Sequence, residues 1–170
     1  MRIIILVTAI LTALSVTAQR AIVPTDSLII QGKIKNQKIF TLPGLDTFPK
    51  TIIKDQIIYN QRGEEKGTLK NMQGVSLKTI LSSIEFEYDK PKDLNEFYFV
   101  FIASDGYKVV FSWNEIYNNE AGNNFFIVTE MEGKKLKEIE HRIIFISAAD
   151  LKAGRRYIKG LERIDVKRVD

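Results

Sequence analysis

Short runs in which apolar and polar residues alternate occupy most of this chain, and such alternation predicts β-strands. Glycine, proline, asparagine and aspartate bound these runs and favour turns between them. The predicted strands cover residues 27–35, 38–42, 51–59, 96–103, 107–111, 125–131 and 142–147, and a last one follows Gly160. Strands therefore dominate the predicted fold.

Two segments carry a helical pattern instead. After Gly74-Val75-Ser76, apolar residues recur with the i, i+3, i+4, i+7 spacing of one buried helix face, at Leu77, Ile80, Leu81 and Ile84. This helix is expected to end near Glu85. Farther along, Ser112 precedes a short helix at 113–117, and Glu115 completes the pattern of a capping box. A few short helices among many strands predict the α+β class with mixed β-sheets.

The first residues have the pattern of a signal peptide. A basic residue, Arg2, precedes an apolar run at 3–14, and small residues follow at 16–18. A transmembrane anchor is the alternative, but it needs roughly 20 apolar residues and this run is shorter. We therefore expect cleavage after Ala18 and a secreted or periplasmic protein with no membrane span after cleavage. The expected organisation is a signal peptide at 1–18, a flexible leader at 19–26 and a single domain at 27–170.

Composition excludes several kinds of site. The sequence contains no cysteine, so it forms no disulfide bond and offers no thiolate to a metal. Its net charge is +4, and its basic residues occur in short groups such as Lys134-Lys135. The dense basic runs typical of nucleic-acid binding are absent, so no nucleic-acid partner is expected. The sequence also lacks a glycine-rich phosphate loop, a zincin motif and a nucleophile elbow.

A basic segment near the end of the chain is the best candidate for a ligand site. Gly154-Arg155-Arg156 forms a glycine-flanked turn, and Lys159 precedes an alternating strand that starts at Leu161. Because that strand is expected to be buried on one face, the cations before it would be held in fixed positions, as an anionic ligand requires. The alternative interpretation is a solvated basic turn in which Lys159 pairs with a nearby carboxylate.

Four motifs follow one another in a recognisable order: Gly74-Val75-Ser76-Leu77, Asp105-Gly106-Tyr107, Arg142-Ile143-Ile144, and a late segment from Gly154 to Val166. Together they resemble the molybdopterin-binding domain of the sulfite oxidase family of molybdenum oxidoreductases. That family has Gly-Val-Pro-Leu at a helix start, Asp-Gly-Tyr at a strand end, and the late signature Gly-x-Arg-x-Val-Lys-Trp-Leu-x-x-Ile-x-Val. This chain departs from the late signature most strongly at Gly160, which replaces an aromatic residue. The resemblance extends over residues 27–169.

The resemblance implies a pterin cofactor site and assigns residues to it. In the family, the arginine and lysine of the late signature hold the cofactor's phosphate and ring system, and a guanidinium matches phosphate geometry well. These roles would fall to Arg156 and Lys159. Further residues of the implied site are Arg155, Arg142, Asp105 and Tyr107. The family's molybdenum is bound by a cysteine on a loop after an early strand, and the corresponding region, 57–63, has none. A molybdopterin-like pterin is thus implied, without thiolate-ligated molybdenum.

The leading hypothesis is an exported, soluble domain that binds a pterin-like or other anionic small molecule without molybdenum redox chemistry. One alternative is an active molybdopterin-dependent oxidoreductase that uses non-thiolate contacts or a partner subunit. Another is a non-catalytic module that docks an envelope protein. Asp105 and Tyr107 also fit an ordinary hairpin turn followed by a core tyrosine. The single histidine, His141, is expected in a structural or surface position, because one histidine cannot build the usual multi-histidine metal site.

Overall fold

The computed structural model describes residues 20–60 and 62–169. The predicted signal peptide and its cleavage site lie outside these residues. Residues 20–24 run without regular structure, and Val23 exchanges two hydrogen bonds with the Ser104 hydroxyl, at 2.9 and 2.7 Å. No helix in the described part of the chain has the length and apolar character needed to cross a membrane.

Strands hold more residues of the structure than helices do, as the alternation predicts. The strands are β1 Ser27–Gly32, β2 Lys38–Thr41, β3 Thr51–Ile53, β4 Gln56–Tyr59, β5 Glu65–Leu69, β6 Met72–Ser76, β7 Phe97–Ala103, β8 Lys108–Ser112, β9 Phe125–Met131, β10 Lys134–Lys135, β11 Ile144–Ser147, β12 Ile158–Lys159 and β13 Leu161–Arg168. The α-helices are α1 Leu42–Asp46, α2 Leu77–Leu81 and α3 Trp113–Tyr117. Short 3-10 helices lie at Pro91–Glu96, Glu120–Asn124, Leu136–Glu138 and Ala153–Arg156.

The strands form two large sheets and a separate hairpin. One sheet has five strands in the order β2-β1-β13-β7-β8, in which β1 and β13 run parallel and the other neighbours antiparallel. The other sheet follows the order β12-β11-β9-β6-β3, and β10 pairs with β9. Strands β4 and β5 form the hairpin. Mixed sheets with a few short helices confirm the predicted α+β class, and they leave β8 and β12 at the ends of their sheets.

The main core lies between the two large sheets and is rich in phenylalanine. Phe101 and Phe111 of the first sheet meet Phe125 and Phe145 of the second, and all four are fully buried. The ring centroids of Phe101 and Phe145 are 4.7 Å apart, and those of Phe111 and Phe125 are 4.9 Å apart. Tilted and edge-on contacts of this kind suit the ring quadrupole, and they fix how one sheet sits on the other.

The two predicted helices are present, but one is shorter than its apolar spacing suggests. Helix α3 starts with the predicted capping box: the Glu115 N–H donates to Ser112 Oγ at 3.1 Å, and the Ser112 N–H donates to Glu115 Oε2 at 3.0 Å. Helix α2 begins at Leu77 but ends at Leu81. Just beyond it, the hydroxyls of Ser82 and Ser83 donate to backbone carbonyls three residues back, which competes with continued helix. Ile84 is nevertheless buried, outside the helix.

Gly160 is the point at which the chain passes from one sheet to the other. It separates β12 from β13 and has a φ of +61°, a left-handed conformation that glycine adopts without a steric penalty. A Cβ at this position would lie 2.9 Å from the Val23 carbonyl oxygen and 2.8 Å from Ser104 Oγ. This crowding explains why a small residue stands where the late signature has an aromatic one.

Candidate functional site

A cavity of about 600 Å³ lies where the end strands of the two large sheets approach the β4–β5 hairpin. One wall comes from the turn between β7 and β8 and from β8 itself. Another wall comes from the 3-10 helix at Ala153–Arg156, from β12 and from the end of β4. The lining residues central to the site are Tyr59, Asn60, Asp105, Tyr107, Lys108, Arg155, Tyr157 and Lys159.

Two cations of the late signature line this cavity. Lys159 ends β12, and its Nζ lies 5.6 Å from the centroid of the Tyr157 ring. Arg155 belongs to the neighbouring 3-10 helix and is exposed. In the described part of the chain Lys159 forms no ion pair with a carboxylate, so the pairing that belongs to the alternative interpretation is not seen. The Lys159 ammonium group therefore gives the cavity a positive charge that no described carboxylate pairs with.

The 3-10 helix that carries Arg155 packs directly against β4. A Cβ added to Gly154 would lie 1.9 Å from the Tyr59 carbonyl oxygen, so only glycine permits this approach. On its other side, the Tyr107 hydroxyl donates a 2.6 Å hydrogen bond to the Arg155 carbonyl oxygen. These two contacts hold the basic segment between the β4–β5 hairpin and the β7–β8 turn.

The Asp105-Gly106-Tyr107 motif is a turn and also lines the cavity. Asp105 Oδ1 accepts a 2.8 Å hydrogen bond from the Tyr107 N–H, and Gly106 has a φ of +86°. An aspartate that bonds to the backbone two residues on is typical of tight turns. The motif can thus form a hairpin turn and line a cavity at the same time. Tyr107 is 42% exposed, however, and is not the core tyrosine that the hairpin interpretation expects.

Arg156 lies outside the lining of the cavity and is held in a network of its own. Its Nε donates to Asp150 Oδ2 at 2.6 Å, its Nη1 donates to Glu115 Oε1 at 2.8 Å, and its Nη2 contacts Asp150 Oδ1. Asp150 Oδ1 also accepts a 2.6 Å hydrogen bond from the fully buried Ser147 hydroxyl. We call Glu115, Ser147, Asp150 and Arg156 the arginine cluster.

The arginine cluster rests on the aromatic core. The guanidinium carbon of Arg156 lies 4.7 Å from the Phe111 ring centroid and 5.5 Å from that of Phe125. The hydrogen bond to Asp150, followed by the one to Glu115, raises the pKa of Arg156 above its usual value, whereas burial acts in the opposite direction. Arg156 therefore stays charged and joins α3 to the segment after β11.

Two further residues singled out in the sequence also lie outside the cavity. Arg142 forms an ion pair with Asp26, and its backbone has a φ of +55°. His141 Nε2 lies 3.8 Å from Glu140 Oε2, and its buried Nδ1 has no hydrogen-bond partner among the described residues. The structure thus brings Arg155, Lys159, Asp105 and Tyr107 together, and it places Arg156 and Arg142 elsewhere.

Several lining residues were not singled out in the sequence. Asn60 orders the loop after β4: its Oδ1 accepts the N–H groups of Arg62 and Glu64, each at 3.0 Å, and its Nδ2 donates to Glu64 at 2.7 Å. Tyr157 lies between the two sequence-predicted cations Arg156 and Lys159. Burial, and then the charge of Glu132, raises the pKa of Tyr157 to about 12. An asparagine shortly before a glycine is a turn signal, but nothing in the local sequence marks Tyr157.

The lining of the cavity combines polar and aromatic side chains. Positive side chains, tyrosine rings and an amide face one concave space, which is the usual composition of a site for a small polar molecule. No group of three or more histidine, cysteine, aspartate or glutamate side chains within residues 20–60 and 62–169 is arranged to hold a metal ion.

A comparison with solved structures found a protein of similar fold. The chain is similar to the sulfane dehydrogenase SoxCD from Paracoccus pantotrophus, with a TM-score of 0.56 and 16% sequence identity. The two chains share a fold. The similarity covers 84% of this chain and 39% of the dehydrogenase chain, so this chain spans about two-fifths of that protein's length. No protein-family model matches the sequence, and no curated protein matches it either.

Proposed function

We propose that this chain binds a pterin-like or other anionic small molecule in the cavity that Lys159 and Arg155 line, and that it does so without thiolate-ligated molybdenum. The observation that carries the proposal is the position of these cations in one cavity with Tyr59 and Asn60. That is the region in which the resemblance to the sulfite oxidase family places its metal loop. One concavity thus combines Lys159 of the late signature with the region where that loop would lie.

The size and the lining of the cavity suit such a ligand. Its volume of about 600 Å³ lies within the range of small-molecule sites. Lys159 and Arg155 supply charge-assisted hydrogen-bond donors for a phosphate or carboxylate. Tyr107 and Tyr157 offer ring faces for a flat heterocycle, and Asn60 also lines the cavity. These residues bind and orient a ligand, and the partly buried Tyr157 keeps one side of the site apolar.

The fold gives independent support. A dehydrogenase has a similar fold, and the ordered motifs resemble those of an oxidoreductase family, so both observations point to the same kind of scaffold. The cysteine ligand that binds the family's metal, in contrast, has no counterpart here. The sequence contains no cysteine, so these residues do not fit a thiolate-ligated molybdenum. A pterin or related anion fits the lining, and we assign no redox step to it.

The test is a calorimetric titration of the folded chain with pterin-6-carboxylate, an anionic pterin. We expect binding, and we expect Lys159→Ala to weaken it by roughly ten-fold or more, because one charge-assisted hydrogen bond contributes about 1.5–3 kcal/mol. Lys167→Ala is the matched control, since it removes the same charge from an exposed position on β13 outside the cavity.

Two results would contradict the proposal. The first is a wild-type chain that shows no heat of binding with the pterin at any accessible concentration. The second is equal weakening by Lys159→Ala and Lys167→Ala, which would show a general charge effect and no site. A thermal melt of each variant, expected to match the wild type, checks that the fold is intact.

A further inference from the structure

We propose that the open edge of β8 docks an acidic, extended segment of a partner protein, which adds to the five-stranded sheet as a further strand. This inference goes beyond small-molecule binding, although it uses one wall of the same cavity. Strand β8 has three features that favour such docking: its hydrogen-bonding pattern, the charges that face its edge, and the open space beside it.

Strand β8 is the last strand of its sheet, and β7 is its partner in the described chain. The Ala103 N–H donates to the Tyr107 carbonyl at 2.9 Å, which fixes the register of the hairpin. In an antiparallel pair, hydrogen-bonded and non-hydrogen-bonded residue pairs alternate. Phe101 and Val109 are therefore a bonded pair, whereas Lys108 and Val110 turn their N–H and C=O groups away from β7.

The outward groups of Lys108 and Val110 border open space. Lys108, Val109 and Val110 all line the cavity, and the facing wall is the segment with Gly154 and Arg155. Natural sheets usually protect such an edge with a covering loop, a bulge or a proline. Here Val110 is 55% exposed and no bulge interrupts the pairing of β7 with β8. An added strand needs unpaired backbone groups and room for its own backbone. The outward groups of Lys108 and Val110 form no backbone hydrogen bond to another described residue, and the cavity supplies the room.

The positive charges around this edge favour an acidic partner. Lys108, Arg155 and Lys159 line the cavity, and Asp105 is the one carboxylate among the lining residues. Asp105 is already engaged, since its Oδ1 accepts the Tyr107 N–H. A second copy of this chain is a poor occupant, because pairing two β8 edges would bring two positively charged edges together. An extended peptide with acidic side chains on one face matches the edge in both hydrogen bonds and charge.

The experiment begins with a displayed library of random ten-residue peptides, selected on the folded chain and then resynthesised. We expect the enriched peptides to carry acidic residues at alternate positions, as side chains on one face of a strand require. Val110→Pro removes one outward N–H and no ladder hydrogen bond, so it should weaken peptide binding at least ten-fold. Val110→Thr keeps the N–H and a β-branched side chain, and should bind within about two-fold of the wild type.

A second measurement keeps the test valid if Val110→Pro disturbs the fold. Amide hydrogen exchange of the wild-type chain should slow at Lys108 and Val110 when the selected peptide is added. Enriched peptides without an acidic pattern, unchanged exchange at these two amides, or equal binding to folded Val110→Pro and Val110→Thr would each overturn the proposal. Because the readouts are peptide affinity and amide exchange, its failure leaves the pterin titration unaffected.

Discussion

Arg156 and Lys159 are three residues apart, yet the structure uses the two cations in opposite ways. Arg156 is bound by two carboxylates and lies over two phenylalanine rings. Lys159 has no carboxylate partner in the described chain and lines the cavity. The 3-10 helix that ends at Arg156 and the short strand β12 turn the two side chains to different sides of the segment.

This difference separates a structural cation from one available to a ligand. Asp150 and Glu115 take three of the five N–H donors of this guanidinium and offset its charge, so it attracts a phosphate less strongly than Lys159 does. It can still serve the site, because it fixes the segment that carries Arg155 and Lys159. We therefore interpret the arginine cluster as the support of the cavity and Lys159 as its principal anion-binding group.

The largest effect is expected when the arginine cluster is broken. Arg156→Ala leaves Asp150, whose side chain is 12% exposed, without its charge partner and removes the contact with Phe111. Loss of one partner of a buried ion pair costs about 3–5 kcal/mol, and the partial exposure of Glu115 places our expectation near the lower end. Urea denaturation measures this change in the free energy of unfolding.

A matched control for Arg156→Ala exists on the surface. Lys35 and Glu85 form an ion pair in which both side chains are more than half exposed, at 61% and 70%. Lys35→Ala should leave the denaturation midpoint almost unchanged, since exposed pairs contribute little. If Arg156→Ala were as stable as Lys35→Ala but no longer bound pterin-6-carboxylate, Arg156 would be a ligand-binding residue. The distinction drawn between Arg156 and Lys159 would then be wrong.

A smaller effect is expected from Tyr157, which stands between the two cations. Its pKa in the folded chain is raised to about 12, chiefly by burial, against about 10 in an unfolded chain. The folded state thus holds this proton more tightly, so the stabilisation is fully present below about pH 10 and is lost as the pH rises towards 12. The difference corresponds to at most about 3 kcal/mol.

The measurement is the free energy of unfolding between pH 9 and 12 for the wild type and Tyr157→Phe. The wild type should lose stability over this window, and the variant should lose less, because phenylalanine has no proton to release. Burial also raises the pKa of Tyr117, so the Tyr157→Phe variant should still lose some stability over this pH window. Identical slopes in the two proteins would show that Tyr157 is solvated and does not form a dry wall of the cavity.

Much of the fold was predictable because its determinants are local. The capping box at Ser112 and Glu115 specifies a helix start within four residues, and the alternation from Phe97 to Ala103 specifies a strand. The stretch 51–59 was less informative. It is β-rich throughout, but β3 joins the six-stranded sheet and β4 pairs with β5, and no local pattern encodes the change of partner at residues 54–55.

The candidate site was predictable only in part, for the same reason. The resemblance led to Lys159, Arg155, Asp105 and Tyr107, which the fold brings to one cavity. It also led to Arg156, whose partner Glu115 lies 41 residues earlier in the chain. Glu115 was recognisable as a capping residue through one carboxylate oxygen, but the bond that its second oxygen forms depends on how the sheets pack.

The account is tested most directly by a crystal structure of the chain with pterin-6-carboxylate. We predict ligand density between Lys159 and Asn60, with the Arg156 guanidinium still bonded to Asp150 and Glu115. Density for the ligand on Arg156, with those two bonds broken, would contradict the division of the basic segment into a supporting cation and a binding cation.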